Sequence, residues 1–260
     1  IAKELIDIAV DSGCDAVKFQ KRTLDVVYTK ETLNQPRKSP WGTTQRQQKE
    51  ALEFSIEEYD EIDRYCNSKN IDWFASSWDI ESQKLMRKYD FPFNKVASAM
   101  SINLSFLEVV ASEKKPTFVS TGMTELKDID QIMAIFKKYD CPIMLMHTVS
   151  TYPSKIEHLN LNCITTMKER YKIPIGYSGH EVSVSPSIVA ATLGASAIER
   201  HITLDRSMYG SDQSASLEAV GINKLTNVLR SIPDMLGDGK KKILKEEEII
   251  ASKLRYWIEE

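Results

Sequence analysis

The sequence predicts an α/β protein: a parallel sheet in which each strand is followed by a helix. Two observations carry this. Helical and strand periods alternate along most of the 260 residues. The stretches with strand character also end repeatedly in a lysine, serine or histidine. Strands joined by single helices must run parallel, with right-handed crossovers. An open doubly wound sheet and a closed (β/α)₈ barrel both satisfy the pattern. No glycine-rich phosphate loop follows the first strand, which argues against a dinucleotide-binding open sheet. The barrel is the expected fold.

The elements follow in order. Residues 1–12 read as a helix with Leu5, Ile8 and Ala9 on one face, leading to a strand at 14–20. A polar segment at 21–55 interrupts the rhythm. Helix 56–69 then leads to strand 71–77, helix 80–89 to strand 93–99, and helix 103–114 to strand 116–121. Helix 124–139 leads to strand 143–149, helix 158–171 to strand 174–179, and helix 183–194 to strand 197–203. A helical region follows from about 217. These are seven strands preceded by an orphan helix, and a closed barrel needs eight. The expectation is a (β/α)₈ TIM barrel whose first strand lies upstream of Ile1. In that account residues 1–260 form a single barrel domain. A strand overlooked in the mildly strand-like 25–29 is the alternative. Segment 21–55 is too long for a routine connection. With Trp41, Gly42 and two prolines, it reads as a lid or partner contact.

Composition narrows the class. Hydrophobic content of 42% and charged content of 27% suit a globular protein, and a net charge of -3 gives no footing for nucleic acid. No apolar run approaches the ~18 residues of a membrane span, and no signal peptide is visible. Cys14, Cys66, Cys141 and Cys163 are widely spaced, as reduced thiols of a cytoplasmic protein would be.

Barrel chemistry is built at the C-terminal ends of the strands, and the polar residues collect there. Lys18 and Gln20 end the first strand, and Ser76 and Ser77 the second. Lys95 and Ser98 belong to the third, Ser120 and Thr121 to the fourth. His147, Thr148, Ser150 and then Tyr152 end the fifth, Ser178 and His180 the sixth, His201 and Thr203 the seventh. Two lysines with many hydroxyls suit a ligand carrying phosphate or carboxylate. Alternation puts Glu199 beside His201, where it is also a candidate partner for a lysine. His180 and His201, on neighbouring strands, are candidate ligands of one metal ion with positions left open for substrate. His147 reads as structural, and His158 as exposed on a helix.

These residues also match a family. The chain resembles the N-acetylneuraminate (sialic acid) synthases over essentially its whole length. The anchors are Lys18-Phe19-Gln20-Lys21, Ser39-Pro40-Trp41-Gly42, Leu52-Glu53-Phe54-Ser55 and Lys95-Val96-Ala97-Ser98. They continue with Ser120-Thr121-Gly122-Met123, Tyr152-Pro153, Gly176-Tyr177-Ser178-Gly179-His180 and the block from Glu199 to Glu218. The resemblance implies a (β/α)₈ barrel followed by a small antifreeze-like domain, in a homodimer. It implies condensation of phosphoenolpyruvate with an N-acetylated amino sugar, usually N-acetylmannosamine or its 6-phosphate. The products are a nine-carbon 2-keto acid and phosphate. A manganese or magnesium ion on His180 and His201 would polarise the sugar aldehyde. Lys95, Ser98, Ser120 and Ser178 match phosphoenolpyruvate contacts, with Lys18 and Ser77 near its carboxylate. Gln20, Tyr152 and Asp212 match sugar contacts, and Lys18, Lys95 and Asp212 are the expected catalytic residues.

The chain departs from the family in places. Many members follow the Lys-Val-Ala-Ser strand end with Gly and an acid that contacts the sugar, where this chain has Ala99-Met100. Ser150 stands where bacterial members often place Asn against phosphate. The antifreeze-like domain is not expected within 1–260. A diacetamido deoxy sugar of the legionaminic or pseudaminic type is therefore an alternative substrate. A Schiff-base aldolase using Lys18 or Lys95, and a degenerate scaffold barrel, are the competing readings.

Overall fold

A computed structural model describes residues 1–257. The chain divides into two compact units, Ile1–Leu229 and Arg230–Glu260.

In the first unit α1 (Ala2–Asp11) precedes β1 (Ala16–Lys21). The segment after β1 folds as α2 (Leu24–Val27), α3 (Lys30–Asn34), an antiparallel hairpin of β2 (Pro36–Ser39) and β3 (Gly42–Thr44), and α4 (Gln45–Glu50). Regular alternation follows: α5 (Ile56–Lys69), β4 (Asp72–Ser77), α6 (Ile80–Met86), β5 (Asn94–Val96), α7 (Leu104–Ala111) and β6 (Thr117–Ser120). It continues through α8 (Leu126–Lys138), β7 (Ile143–Thr148), α9 (Asn162–Tyr171), β8 (Ile175–Gly179), α10 (Ser185–Thr192) and β9 (Ile198–Arg200). Helix α11 (Ala219–Leu236) starts in this unit.

Local chemistry explains the boundaries. Ser55 and Glu58 form a reciprocal capping box that starts α5, and Asn70 ends it in the left-handed conformation that Asn tolerates. Asp79 caps α6 by accepting from the Ser82 backbone N–H at 2.7 Å and also accepts from the Thr23 N–H at 2.8 Å. One carboxylate thus ties the exit of β1 to the exit of β4. Residues 25–29, weighed as a strand, instead belong mostly to α2, whose N-terminal turn is closed by bonds to the Thr23 carbonyl. His158 lies in a single 3₁₀ turn (Ile156–His158) and is exposed.

The sheet has seven parallel strands in the order β1-β4-β5-β6-β7-β8-β9. Each strand beyond the hairpin lies beside its successor, as in a singly wound sheet; a doubly wound sheet would reverse direction at a switch point. The sheet curls like a barrel wall but does not close. Among the described residues β1 pairs only with β4, and β9 only with β8. The two edges nevertheless approach, since Lys18 Nζ of β1 lies 3.6 Å from Glu199 Oε1 of β9. Cys14, just before β1, and Ile198 and Ile202, at the β9 end, pack against one cluster of Leu217, Ile222 and Leu225.

The register fixes which side chains share the concave face. Lys18 pairs with Phe74 and Gln20 with Ser76; Ser76 pairs with Lys95, Lys95 with Phe118, and Ser178 with Glu199. Rings of Phe74, Phe93 and Phe118 pack T-shaped, stacked or tilted at 5.1–6.1 Å. They form an apolar floor, so the interior is a packed core with polar residues above it. On the convex face Phe106, Leu107, Ile132, Phe136, Ile164 and Tyr177 are fully buried beneath the helices. Each such burial contributes roughly 1.5–3 kcal/mol.

In the second unit, α12 (Lys245–Leu254) begins with Glu246, Glu247 and Glu248, which suit the positive end of a helix dipole. No described helix is long and apolar enough to cross a membrane.

Candidate active site

The strand exits carry a continuous polar cluster. At its centre is Glu199 on β9, with Oε1 3.6 Å from Lys18 Nζ and 3.8 Å from Lys95 Nζ. It also accepts a hydrogen bond from the Ser178 hydroxyl at 3.1 Å. The Lys95 ammonium donates to Ser120 Oγ at 2.6 Å and to the Val96 carbonyl at 3.1 Å. Lys95 is only 2% exposed. Burial strips water from its ammonium and lowers its pKa to about 8; Glu199 opposes that shift and Lys18 adds to it. Burial alone would raise the Glu199 pKa, but Lys18 and Lys95, then His201 and Ser178, hold it at about 2. Two cations thus share one carboxylate in a shielded site. A ligand with its own carboxylate or phosphate would compete with Glu199 for them.

Hydroxyls surround this charge. The Ser98 hydroxyl accepts from the Gly122 N–H at 3.1 Å, joining the exit of β5 to that of β6. A Cβ on Gly122 would lie 2.1 Å from Ser150 Oγ and 2.7 Å from Ser98 Oγ. A side chain there would force the Ser150 and Ser98 hydroxyls to move, so glycine lets three strand exits meet closely. Ser76 and Ser77 are fully buried, and neither hydroxyl has a hydrogen-bond partner among the described residues. Ser76 pairs in register with Gln20 and Lys95, whereas Ser77 pairs with Lys21 on the alternate side. The sequence places both serines at this strand end, and the family resemblance assigns a ligand contact to Ser77 alone. Alternation counted from Lys18 and Gln20 is the signal that separates the two.

The histidines stand together. His180 and His201 are the first residues past the β8 and β9 ladder, with ring centroids 5.2 Å apart. His180 Nδ1 lies 2.8 Å from the Val149 carbonyl, which can only accept, so Nδ1 carries the proton. The Nε2 lone pair faces the Tyr152 hydroxyl at 3.0 Å. Burial lowers the His180 pKa. Burial, then Lys18 and His180, lower that of His201 to about 4, against Asp212 and Glu199. Both rings are neutral at pH 7, the form that binds a metal, and His180 has the outer hydrogen bond typical of a ligating histidine. No group of three or more His, Cys, Asp or Glu converges as a metal site among the described residues. Two neutral imidazoles with ring centroids 5.2 Å apart are a donor set that a divalent ion could use, with its other positions left to water and substrate.

Asp212 stands at the rim with Oδ2 3.7 Å from His201 Nδ1, and it accepts from the Ser211 hydroxyl at 2.7 Å. The Tyr152 ring is 4.2 Å from that of His180 and 5.7 Å from that of His201. Burial, then Asp212 and Glu199, raise its pKa to about 12. Above the exits the β2–β3 hairpin meets the loop after β9, where Arg37 Nε donates to Tyr209 Oη at 3.1 Å and Trp41 packs edge-on against Tyr209. His147 is buried and bonds the Leu159 carbonyl at 2.7 Å. Met100 belongs to the apolar cluster with Phe106 and Leu107.

Residues 5–241 match the NeuB family. The chain belongs to this family. Among its relatives is the N-acetylneuraminate-9-phosphate synthase of Homo sapiens, 35% identical over 257 residues, 98% of this chain and 72% of the relative. The N,N'-diacetyllegionaminic acid synthase of Campylobacter jejuni is 32% identical over 259 residues, 95% of this chain and 76% of that protein. The chain is also similar in structure to the N-acetylneuraminic acid (sialic acid) synthetase of Leptospira borgpetersenii, solved with citrate, with a TM-score of 0.82 at 30% identity. That likeness covers 98% of this chain and 87% of the other. The NeuB membership agrees with the family resemblance carried by the strand-end motifs.

Proposed function

We propose that this chain is a phosphoenolpyruvate-dependent synthase of the sialic acid type. It joins an N-acetylated amino sugar, N-acetylmannosamine first, to a three-carbon enolate unit, forming a nine-carbon 2-keto acid and releasing phosphate. The observation that carries the reading is the pair Lys18 and Lys95 converging on Glu199 beside two neutral imidazoles. The NeuB relatives named for sialic and legionaminic acid synthesis support it.

In this reading Lys18 and Lys95 leave Glu199 to neutralise phosphoenolpyruvate. Ser76, inward-facing where the family resemblance pointed to its neighbour Ser77, supplies short hydrogen bonds to the carboxylate and phosphate oxygens of this ligand together with Ser98, Ser120, Ser150 and Ser178. Gln20, Tyr152 and Asp212 hold the open-chain sugar at the rim, with Asp212 placed to move a proton at a sugar hydroxyl. His180 and His201 would hold manganese or magnesium, which supplies Lewis-acid polarisation of the aldehyde oxygen. Carbon 3 of phosphoenolpyruvate bonds to the aldehyde carbon, water adds at carbon 2, and the C–O bond to phosphate breaks. The same reading completes the curled sheet as a (β/α)₈ barrel, with an eighth strand between β1 and β9.

A diacetamido deoxy sugar is the second reading. Met100, packed in an apolar cluster, supplies no acceptor for a sugar hydroxyl. Phosphate release measured with phosphoenolpyruvate, Mn²⁺ and a panel of amino sugars tests both. Release with N-acetylmannosamine at the highest kcat/KM supports the first, and preference for the diacetamido sugar supports the second. No release with any sugar, together with borohydride trapping of a pyruvate adduct, would replace both with a Schiff-base aldolase.

A further inference from the structure

Arg200 and Glu181 form an ion pair that the proposed chemistry does not use. Arg200 Nη1 lies 3.1 Å from Glu181 Oε1, and the side chains are 2% and 1% exposed. Further hydrogen bonds surround the pair, although Arg200 Nε itself is buried with no partner among the described residues. The same guanidinium donates to the Glu181 carbonyl through Nη2, to the Ser183 carbonyl at 3.0 Å and to Ser187 Oγ at 3.1 Å. The Tyr177 hydroxyl donates to Glu181 Oε2 at 2.8 Å. The carboxylate folds back over Gly179, where a Cβ would lie 2.7 Å from Oε2.

A buried ion pair is poor evidence for stability, because desolvating two charges offsets most of their attraction. Its position suggests another role. The β8–β9 ladder ends at Gly179 and Arg200. His180 and His201 come next, and among the described residues no strand pairing joins them. Glu181 directly follows one histidine, and Arg200 directly precedes the other. Alternation turns Arg200 away from the concave face toward α10 while Glu199 and His201 point inward. The pair therefore clamps the two strand exits from behind.

We propose that Glu181–Arg200 is a positioning pair that sets the separation and orientation of His180 and His201, acting through the peptide units that adjoin them. This rests on reading the two histidines as a metal pair. The ring of His180 is held on its other side by Val149, so the clamp fixes its backbone while Val149 fixes its rotation. With the clamp loosened, the two imidazoles no longer present their lone pairs to one ion.

The test is Mn²⁺ affinity by calorimetry and the visible spectrum of bound Co²⁺, on wild type, His180→Ala and Glu181→Gln. Glu181→Gln keeps the shape but removes the carboxylate. It should bind Mn²⁺ about tenfold or more weakly, the scale of lost outer-shell support at metal sites, with an altered Co²⁺ spectrum. If Glu181→Gln does not fold, Glu181→Leu/Arg200→Met removes both charges together and is read in the same way. Wild-type affinity and spectrum in a folded pair variant overturn the proposal alone. Absence of Mn²⁺ binding in the wild type, or binding that His180→Ala leaves intact, defeats the metal reading and the proposal with it.

Discussion

Phosphoenolpyruvate affinity should fall as pH rises through the titration of Lys95. Burial holds the free-state pKa of this ammonium at about 8. An anionic ligand beside it favours the protonated form and raises that pKa in the complex. Below pH 8 the proton is already present and binding takes up none. Above pH 8 each bound ligand must bring one proton with it, so the apparent Kd rises about tenfold per pH unit. Between pH 7 and 9 the expected weakening is about tenfold, or ~1.4 kcal/mol. The window is clean. Phosphate monoesters lose their second proton near pH ~6. The His180 and His201 pKa values are lowered and that of Tyr152 is raised to about 12. Of the site groups with displaced pKa values, only Lys95 falls inside it. Calorimetry in two buffers of different ionisation enthalpy counts the protons, and uptake near ~0.9 is expected at pH 9. Lys95→Arg keeps the charge without titrating and should flatten the profile. A flat Kd in the wild type without proton uptake, or an unchanged slope in Lys95→Arg, would refute the reasoning.

Other expectations follow from the same geometry. His180→Ala or His201→Ala should abolish metal-dependent turnover while the unfolding midpoint stays within a few degrees; near-wild-type turnover at limiting metal would exclude the two-histidine site. Lys18→Ala and Lys95→Ala each remove a charge-assisted contact of ~1.5–3 kcal/mol, or roughly ten- to hundredfold in phosphoenolpyruvate binding, and unchanged affinity in both would remove the lysines from the site. Gly122→Ala drives a methyl into Ser150 and Ser98 and should cost about 1–3 kcal/mol of stability, together with most phosphate release. A fully active, equally stable Gly122→Ala protein would show that the three exits need not meet.

How far the sequence reveals this site depends on which way each residue faces. The seven strands were legible because short apolar runs between helical periods leave little choice, and each expected strand overlaps an observed one. That Lys18, Lys95, His180 and His201 would stand together was legible because alternation puts them on the concave face at the strand exits, whereas His147, one position out of that register, bonds the Leu159 carbonyl instead. Segment 21–55 was not. Its helices are four to six residues long: α2 has no side-chain cap, α3 is capped by Thr29 and α4 by a Thr44–Gln47 box, and its hairpin is irregular between Pro36 and Ser39. No periodicity can accumulate over such lengths. Glu181 and Arg200 were illegible for another reason. A charged residue next to a site residue in sequence reads as solvated surface, and only the packing of α10 against the back of the strands shows this pair to be almost fully buried. At a strand exit, alternation sends one residue to the substrate and its neighbour to the helix layer. The inward residue can be recognised by its chemistry alone. The outward one acquires meaning only when the layer behind it is in place, so the groups that position a barrel's reactive residues are harder to read than the reactive residues themselves.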